Sequence, residues 1–174
     1  MESRESGFTI VELIVVVATL SVLLAIATLS TNSWFEKKAV EDQTMTLYGE
    51  LMAVRQTAMN MKRPKTMVIK GGSYQIYSTN VVAGTPVVNN SLKYPVMSVN
   101  GLVPSGGYKV EFDERGFVTD VNCRSFCVEP GGDLLTLNSG TIDSIVVSNL
   151  RIKIGKRTAQ GAACKNENNN IQLK

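Results

Sequence analysis

The segment from Phe8 to Leu29 constrains this 174-residue chain most, because it is almost wholly apolar and its only ionisable side chain is Glu12. At about 1.5 Å per residue, a helix of this length spans ~33 Å, enough to cross the hydrocarbon core of a bilayer. The apolar region of a cleaved secretory signal is shorter, about 7–15 residues. A plain signal anchor fits the length but leaves the glutamate unexplained. Because an ionised carboxylate in such surroundings costs of the order of a few kcal/mol, Glu12 is expected either to snorkel to an interface or to have a partner.

The residues from Gly7 to Leu13 read Gly-Phe-Thr-Ile-Val-Glu-Leu. This run resembles the class III signal of type IV pilins and type II secretion pseudopilins. The resemblance implies that prepilin peptidase cuts after Gly7 and N-methylates Phe8. It also implies that Glu12 assembles the filament by pairing with the N-terminal amine of a neighbouring subunit. Phe8 and Glu12 lie one helical turn apart on the same face, which suits such a pairing between staggered chains.

The helix is predicted to continue through residues 30–63, since this stretch contains no proline and a single glycine, Gly49. Pro64 ends the pattern. A face at helical spacing predicts that this part packs on the following domain. The face consists of Tyr48, Leu51, Met52, Arg55, Ala58 and Met59.

After Pro64 the period of the apolar pattern changes to two, which predicts about seven short strands joined mainly by hairpins. Gly71-Gly72-Ser73 marks one hairpin turn and Asp113–Gly116 another, while residues 80–90 are predicted to form a polar loop. The predicted strands are Thr66–Lys70, Tyr74–Ser78, Val96–Val99, Tyr108–Phe112, Phe117–Val121, Leu134–Leu137, Ser144–Ser148 and Leu150–Ile154.

A narrower resemblance covers this second part of the chain. The run from Leu51 to Ala58 is similar to the "L-x-x-A-R-x-x-A" helix end of the GspH/FimT branch of minor pilins, and Phe112–Gly116 is similar to its "F-D-x-R-G" hairpin. The resemblance implies an α+β, pilin-like fold. In that fold a long N-terminal helix, whose first half is transmembrane, packs on a small antiparallel β-sheet head.

The implied function is that of a minor pilin near the tip of a type IV pilus. Two alternatives stay open: a minor subunit of a type II secretion pseudopilus, and a FimT-like pilin that binds DNA for uptake. The residues Gly155-Lys156-Arg157-Thr158 are similar to the Gly-Arg-x-Arg segment of the DNA-binding members. Arg151 and Lys153 precede them at alternate strand positions, so the candidate DNA-binding residues are Arg151, Lys153, Lys156 and Arg157.

An enzyme is not expected. The chain has no histidine, which removes Ser-His-Asp and Cys-His nucleophile arrangements and His-ligated metal sites. No paired-carboxylate motif or glycine-rich phosphate loop stands out, so no catalytic residue, cofactor or metal is predicted. Two of the three cysteines are expected to form a disulfide. The pair suggested is Cys127 with Cys164, Cys123 being the alternative member.

These expectations divide the chain into five parts. They are a leader at 1–7, a transmembrane and filament-core helix at 8–29, an amphipathic continuation at 30–63, a β-rich head at 64–157 and a polar flexible tail at 158–174. The predicted location is the bacterial inner membrane as a single-pass protein with the head in the periplasm, followed by the filament. The expected partners are prepilin peptidase, other pilin subunits and the inner membrane, with DNA added under the DNA-uptake alternative.

Overall fold

The computed structural model describes residues 7–99, 101–121, 124–132, 140–159, 161, 163–165 and 170–174, but not the side chains of residues 26–33, 120 and 121. The described residues form one long helix, α1, at Ile10–Met61, and eleven β-strands. The chain divides into two compact units, Met1–Glu36 and Lys37–Lys174.

Helix α1 ends for a local reason. Lys62 has a positive φ of 52°, which turns the chain out of the helix, and the backbone N–H of Arg63 donates to the carbonyl of Ala58 at 3.2 Å. This is the hydrogen-bonding pattern of a Schellman motif, which satisfies carbonyls at a helix end. Pro64 follows and cannot continue the ladder.

One stripe of α1 is fully buried, and it is rotated relative to the predicted one. The buried side chains at this end of the helix are Leu47, Leu51, Val54 and Ala58, at spacings of three and four residues. Of the predicted face, Leu51 and Ala58 are buried, whereas Met52 is exposed. The prediction counted long side chains such as Tyr48 and Arg55, which flank the stripe and are only half-buried.

The described strands form two antiparallel sheets. The first has five strands in the order β3-β2-β1-β6-β7, and the second has six in the order β11-β10-β9-β8-β4-β5. The bounds are β1 Lys65–Ile69, β2 Ser73–Tyr77, β3 Val88–Ser91, β4 Val96–Ser98, β5 Gly101–Leu102, β6 Tyr108–Phe112, β7 Val118–Val121, β8 Ser125–Val128, β9 Ser144–Val147, β10 Ile152–Arg157 and β11 Ile171–Leu173.

A single large core joins the helix to both sheets. Leu51 of α1, Met67 and Phe112 of the first sheet, and Phe126 and Ile145 of the second belong to one cluster of buried side chains. Full burial of each large apolar side chain stabilises the fold by about 1.5–3 kcal/mol. A second, smaller cluster surrounds the Cys127–Cys164 disulfide and contains residues of β4, β9 and β11.

The predicted fold class, an α+β pilin-like fold with a helix on a small antiparallel sheet, is wrong. The part of the chain that the structure describes contains two sheets with eleven strands between them. Strands β3, β5, β8 and β11 were not predicted, because each has only two to four residues and lacks a clear alternation of apolar and polar side chains. The predicted strand Leu134–Leu137 lies outside the described residues.

The transmembrane prediction for residues 8–29 is also wrong. Among the described residues, no helical segment combines the length and the apolar character that a membrane crossing requires. Two further predictions depend on this span and are wrong for the same reason. They are the prepilin-type membrane anchor and the location as a single-pass inner-membrane protein with a periplasmic head.

Residues 158–174 were predicted to be a polar flexible tail, but their described part is tied to the second sheet. Strand β11 pairs with β10 over Gly155, Lys156 and Arg157, and Cys164 is fully buried in its disulfide. Buried Ile171 and half-buried Leu173 explain the difference, since two apolar residues at the end of a polar stretch are too few to give a periodic signal.

Two side chains of α1 connect the helix to neighbouring loops. Gln43 donates from Nε2 to the carbonyl of Tyr94 at 2.7 Å and accepts from the backbone N–H of Tyr94 at 2.8 Å, so it pairs with that backbone as another strand would. Glu41 accepts from the backbone N–H and the hydroxyl of Thr141, at 2.5 and 2.8 Å. These two hydrogen bonds lower the pKa of Glu41 from its ordinary value of 4.5, the backbone bond contributing most.

The lowered pKa of Glu41 makes the stability of the fold depend on pH. Because the folded state favours the carboxylate, this stabilisation is complete above pH 4.5 and is lost as the pH falls through the lower folded pKa. We expect Glu41→Gln to lower the free energy of unfolding at pH 7 by about 0.5–1 kcal/mol, and the difference from wild type to vanish in strong acid. Urea denaturation from pH 7 down to pH 2 measures it, with the exposed Glu114→Gln as the control. A difference that persists in strong acid would contradict this account.

Gly116 in the β6–β7 turn requires glycine. Its φ is 80°, and a Cβ there would lie 2.8 Å from Sδ of Met59 and 3.3 Å from Cγ of Arg55. We expect Gly116→Ala to lower the free energy of unfolding by about 1–2 kcal/mol, because the left-handed backbone disfavours a side chain and Met59 must move. Gly49→Ala, in α1 where no atom lies within 4 Å, should raise it by about 0.5–1 kcal/mol. Thermal denaturation of both variants measures whether their stabilities change in opposite directions. A change in the same direction would show that backbone conformation does not determine the effect of alanine at these two positions.

Candidate assembly interface

The start of α1 is closed by a reciprocal cap between Thr9 and Glu12. The backbone N–H of Glu12 donates to Oγ1 of Thr9 at 3.3 Å, and both the backbone N–H and the hydroxyl of Thr9 donate to Oε2 of Glu12 at 3.4 Å. This arrangement is a capping box, with Thr9 as the N-cap and Glu12 at the third helical position. The Thr-x-x-Glu spacing is the sequence signal of a capping box, which was not among the predicted features.

Glu12 keeps the capacity to accept further hydrogen bonds. A carboxylate has two oxygens and about four acceptor sites, and both bonds from Thr9 end on Oε2 at a long 3.4 Å. The negative charge also lies in the first turn of the helix, where the helix dipole is positive. The side chain is exposed, so an additional donor can reach it.

Around Glu12 the helix is apolar on every side, and this apolar surface is exposed. Five consecutive residues from Leu13 to Val17 are exposed, and at about 100° per residue five consecutive positions cover the whole circumference. A helix that is apolar all round is normally buried, so this one needs a partner surface. The exposed large apolar residues are Ile10, Val11, Leu13, Ile14, Val15, Val16, Val17, Leu20, Val22, Leu23 and Leu24.

The predicted processing site precedes this helix. Gly7, Phe8 and Thr9 are outside any helix or strand, and the side chain of Phe8 is 83% exposed. A Cβ added at Gly7 would meet no atom within 4 Å. The Gly7–Phe8 peptide bond is therefore accessible within the described part of the chain, as cleavage by a peptidase requires. Cleavage and methylation themselves stay predictions.

The four predicted DNA-binding residues do not form one exposed patch. Arg151 and Lys153 are exposed, but the side chain of Lys156 is mostly buried and its Nζ lies 3.1 Å from Oδ2 of Asp143. Arg157 is fully buried, and its guanidinium contacts the carboxylates of Glu129 and Asp143. The basic end of β10 is thus largely neutralised by carboxylates from its own fold.

Arg157, Glu129 and Asp143 form a buried ion cluster between the ends of β8, β9 and β10. The backbone N–H of Arg157 donates to Oδ1 of Asp143 at 2.9 Å, and the hydroxyl of Ser144 donates to the same oxygen at 2.5 Å. Burial lowers the pKa of the Arg157 guanidinium, while the facing carboxylates favour its charged form. The sequence shows no signal for this cluster, because Glu129 and Asp143 are distant from Arg157 along the chain.

The disulfide lies beside this cluster. Cys127 in β8 and Cys164 are joined and fully buried, and Sγ of Cys127 lies 3.4 Å from Oγ of Ser144. This is the first of the two pairs that the sequence left open. Cys123, the alternative member, lies outside the described residues.

No protein-family model, curated protein or solved structure matches this chain.

Because Arg157 belongs to the buried ion cluster and Arg151 is exposed, alanine substitutions at these two positions should differ in their effect on stability. We expect Arg157→Ala to lower the free energy of unfolding by about 3–5 kcal/mol, because it leaves the buried carboxylate of Glu129 without its cation and Asp143 with Lys156 alone. The exposed Arg151→Ala should change it by less than about 0.5 kcal/mol. Chemical denaturation of both variants measures the difference, and similar small effects would show that the cluster is not important for the fold.

Proposed function

We propose that this chain is a filament subunit of the type IV pilus or secretion pseudopilus kind, a minor pilin placed near the filament tip. The observation that carries the proposal is the exposed and largely apolar first part of α1, which has Glu12 as its one ionisable side chain between Phe8 and Ala25. The resemblance of Gly7–Leu13 to the class III signal supports the same function. The place near the tip rests on the resemblance of Leu51–Ala58 and Phe112–Gly116 to minor pilins.

Helix-to-helix packing between subunits provides the driving force. Burial of one Leu, Ile or Val side chain contributes about 1.5–3 kcal/mol, and eleven such side chains from Ile10 to Leu24 are exposed. Even after the entropy cost of association, partial burial of this surface favours assembly. Apolar contacts lack direction, however, so they do not determine how far one helix slides along the next.

Glu12 provides the missing register. Removal of the first seven residues by the peptidase creates a positive amine at Phe8, and a neighbouring subunit's Glu12 is the one described carboxylate within the apolar stretch that can meet it. In surroundings without water, an unpaired charge is costly, so the pair fixes the stagger between subunits. The reciprocal cap of Thr9 and Glu12 orients the carboxylate at the helix start before a partner arrives.

The two alternatives differ in how well the structure supports them. A pilus and a secretion pseudopilus use the same helix packing, so both remain within the proposal. A role in DNA uptake has weaker support, because Lys156 and Arg157 are engaged with Asp143 and Glu129. Arg151 and Lys153 are the two of the four predicted basic residues that stay exposed.

The test of this proposal is the replacement of Glu12. We expect Glu12→Gln to reduce the amount of the chain in sheared filaments by about tenfold or more, because the buried amine of the neighbour loses its counter-charge. The matched control is Glu36→Gln, at an exposed position beyond the apolar stretch, which should assemble like wild type. Immunoblots of the filament fraction and of whole cells separate assembly from abundance.

Mass spectrometry of the assembled chain completes the test. The proposal requires a mature N-terminus at Phe8, carrying a methyl group. Normal incorporation of the Glu12→Gln variant, or a filament-borne chain that still contains Gly7, would refute it.

A further inference from the structure

A groove runs between α1 and strand β3, which is the outer strand of the five-stranded sheet. Two cavities lie along it, one at each end of β3, and both are lined by the helix and by residues of or next to this strand. Among the described residues no strand pairs with the outer side of β3. The groove therefore combines a free strand edge with adjacent space for side chains.

The register of β3 shows which backbone groups point outward. The N–H of Leu92 donates to the carbonyl of Gly72, and β2 and β3 pair in the same register from Ser73–Ser91 to Ile76–Val88. Because hydrogen-bonded and non-hydrogen-bonded pairs alternate in an antiparallel ladder, Asn90 and Val88 bond to β2. The N–H and C=O groups of Asn89 and Ser91 point to the open side.

The cavity at the Val88 end is mostly apolar, and its lining includes two charged residues, Glu50 and Lys65. It has a volume of about 290 Å³ and its walls include Ala53, Val54 and Met61 of α1 together with Ile76 and Val88. A side chain on an added strand that faces the helix at the level of Val88 would enter it. The cavity is large enough for a leucine or isoleucine side chain.

The cavity at the other end of β3 is polar and has a volume of about 340 Å³. Its lining includes Gln43, Asn90 and Lys93 and, in the part of the chain that the structure describes, no carboxylate. The ammonium of Lys93 lies 5.1 Å from the centre of the Tyr94 ring, and its side chain is exposed. This end therefore has a net positive charge and suits an acidic group.

Between the cavities, a hydrogen-bonded bridge fixes the floor of the groove. The hydroxyl of Tyr74 donates to Oε1 of Glu50 at 3.1 Å and accepts from Nδ2 of Asn90 at 2.8 Å. The bridge links the helix to β3, so the width of the groove is set before anything binds. The two cavities are about four strand residues apart, or ~13 Å at about 3.3 Å per residue.

We propose that this groove binds an extended peptide segment of another protein as an additional strand on β3. The segment has an apolar side chain that fills the cavity beside Val88 and, four residues earlier, an acidic side chain that faces Lys93. The outward groups of Asn89 and Ser91 supply the main-chain hydrogen bonds, and the cavities select the side chains, as in other strand-addition sites. The order from acidic to apolar follows from antiparallel pairing, the more stable arrangement. This inference goes beyond filament assembly and does not depend on it.

The test uses the full-length chain in detergent and a fluorescein-labelled peptide, Thr-Asp-Thr-Ser-Thr-Leu-Thr with blocked ends. Fluorescence anisotropy should show saturable binding to wild type. Asn89→Pro removes an outward N–H without breaking the bonds to β2, and Ala53→Trp fills the apolar cavity from an exposed position. We expect each variant to weaken binding about tenfold or more, because each removes one of the two kinds of contact.

The controls distinguish specific binding from loss of folding. Asn89→Thr keeps the N–H and should bind within about twofold of wild type. A peptide with Lys in place of Asp should bind about tenfold more weakly, and adding Lys93→Glu to the chain should restore it. Circular dichroism confirms that the variants fold.

Three results would overturn the proposal. One is the absence of peptide binding by wild type, and another is binding that Asn89→Pro and Ala53→Trp leave unchanged. The third is self-association of the chain without peptide that these variants abolish, because a second copy would then fill the groove.

Discussion

The contact on which the two-sheet unit depends is the apolar stripe of α1, formed by Leu47, Leu51, Val54 and Ala58. These side chains belong to the same buried cluster as residues from both sheets. Each sheet alone would leave an apolar face in water, at a cost of about 25 cal/mol per Å². The helix removes this surface, and the polar bonds of Gln43 and Glu41 then fix its position along the loops.

The sequence predicted elements well where a clear period or a strong terminator was present. Strand β6 has the predicted bounds Tyr108–Phe112, and the helix ends just before Pro64. The prediction failed where strands are short: β3 consists of Val-Asn-Asn-Ser, and its first three residues lie in the predicted polar loop at 80–90. The extent of the two sheets depends on such pairings between distant residues, which local patterns do not encode. The membrane span was predicted from the length and apolar composition of residues 8–29 and from the resemblance of Gly7–Leu13 to the class III signal, but no described helical segment meets the requirements of a membrane crossing.

The candidate interface was predictable in part. Glu12 stands out from the sequence because it interrupts an apolar run, and its capping bond with Thr9 follows from a four-residue spacing. For the basic residues of β10, in contrast, the sequence could not predict which side chains are accessible. Alternation along a strand says which side chains share a face, but not whether that face is covered, and here Arg157 is covered together with Glu129 and Asp143. Only the folded structure brings these carboxylates to the arginine.

The pairing of Gln43 with the backbone of Tyr94 has a consequence for solubility. An open strand edge can recruit identical edges from other chains and grow into an extended sheet. By occupying both the N–H and the C=O of Tyr94, the amide of Gln43 ends the available edge just beyond β3. On this side of the five-stranded sheet, the open edge among the described residues is Val88–Ser91, which contains three polar residues. An edge this short and polar can hold one strand but is a poor template for aggregation.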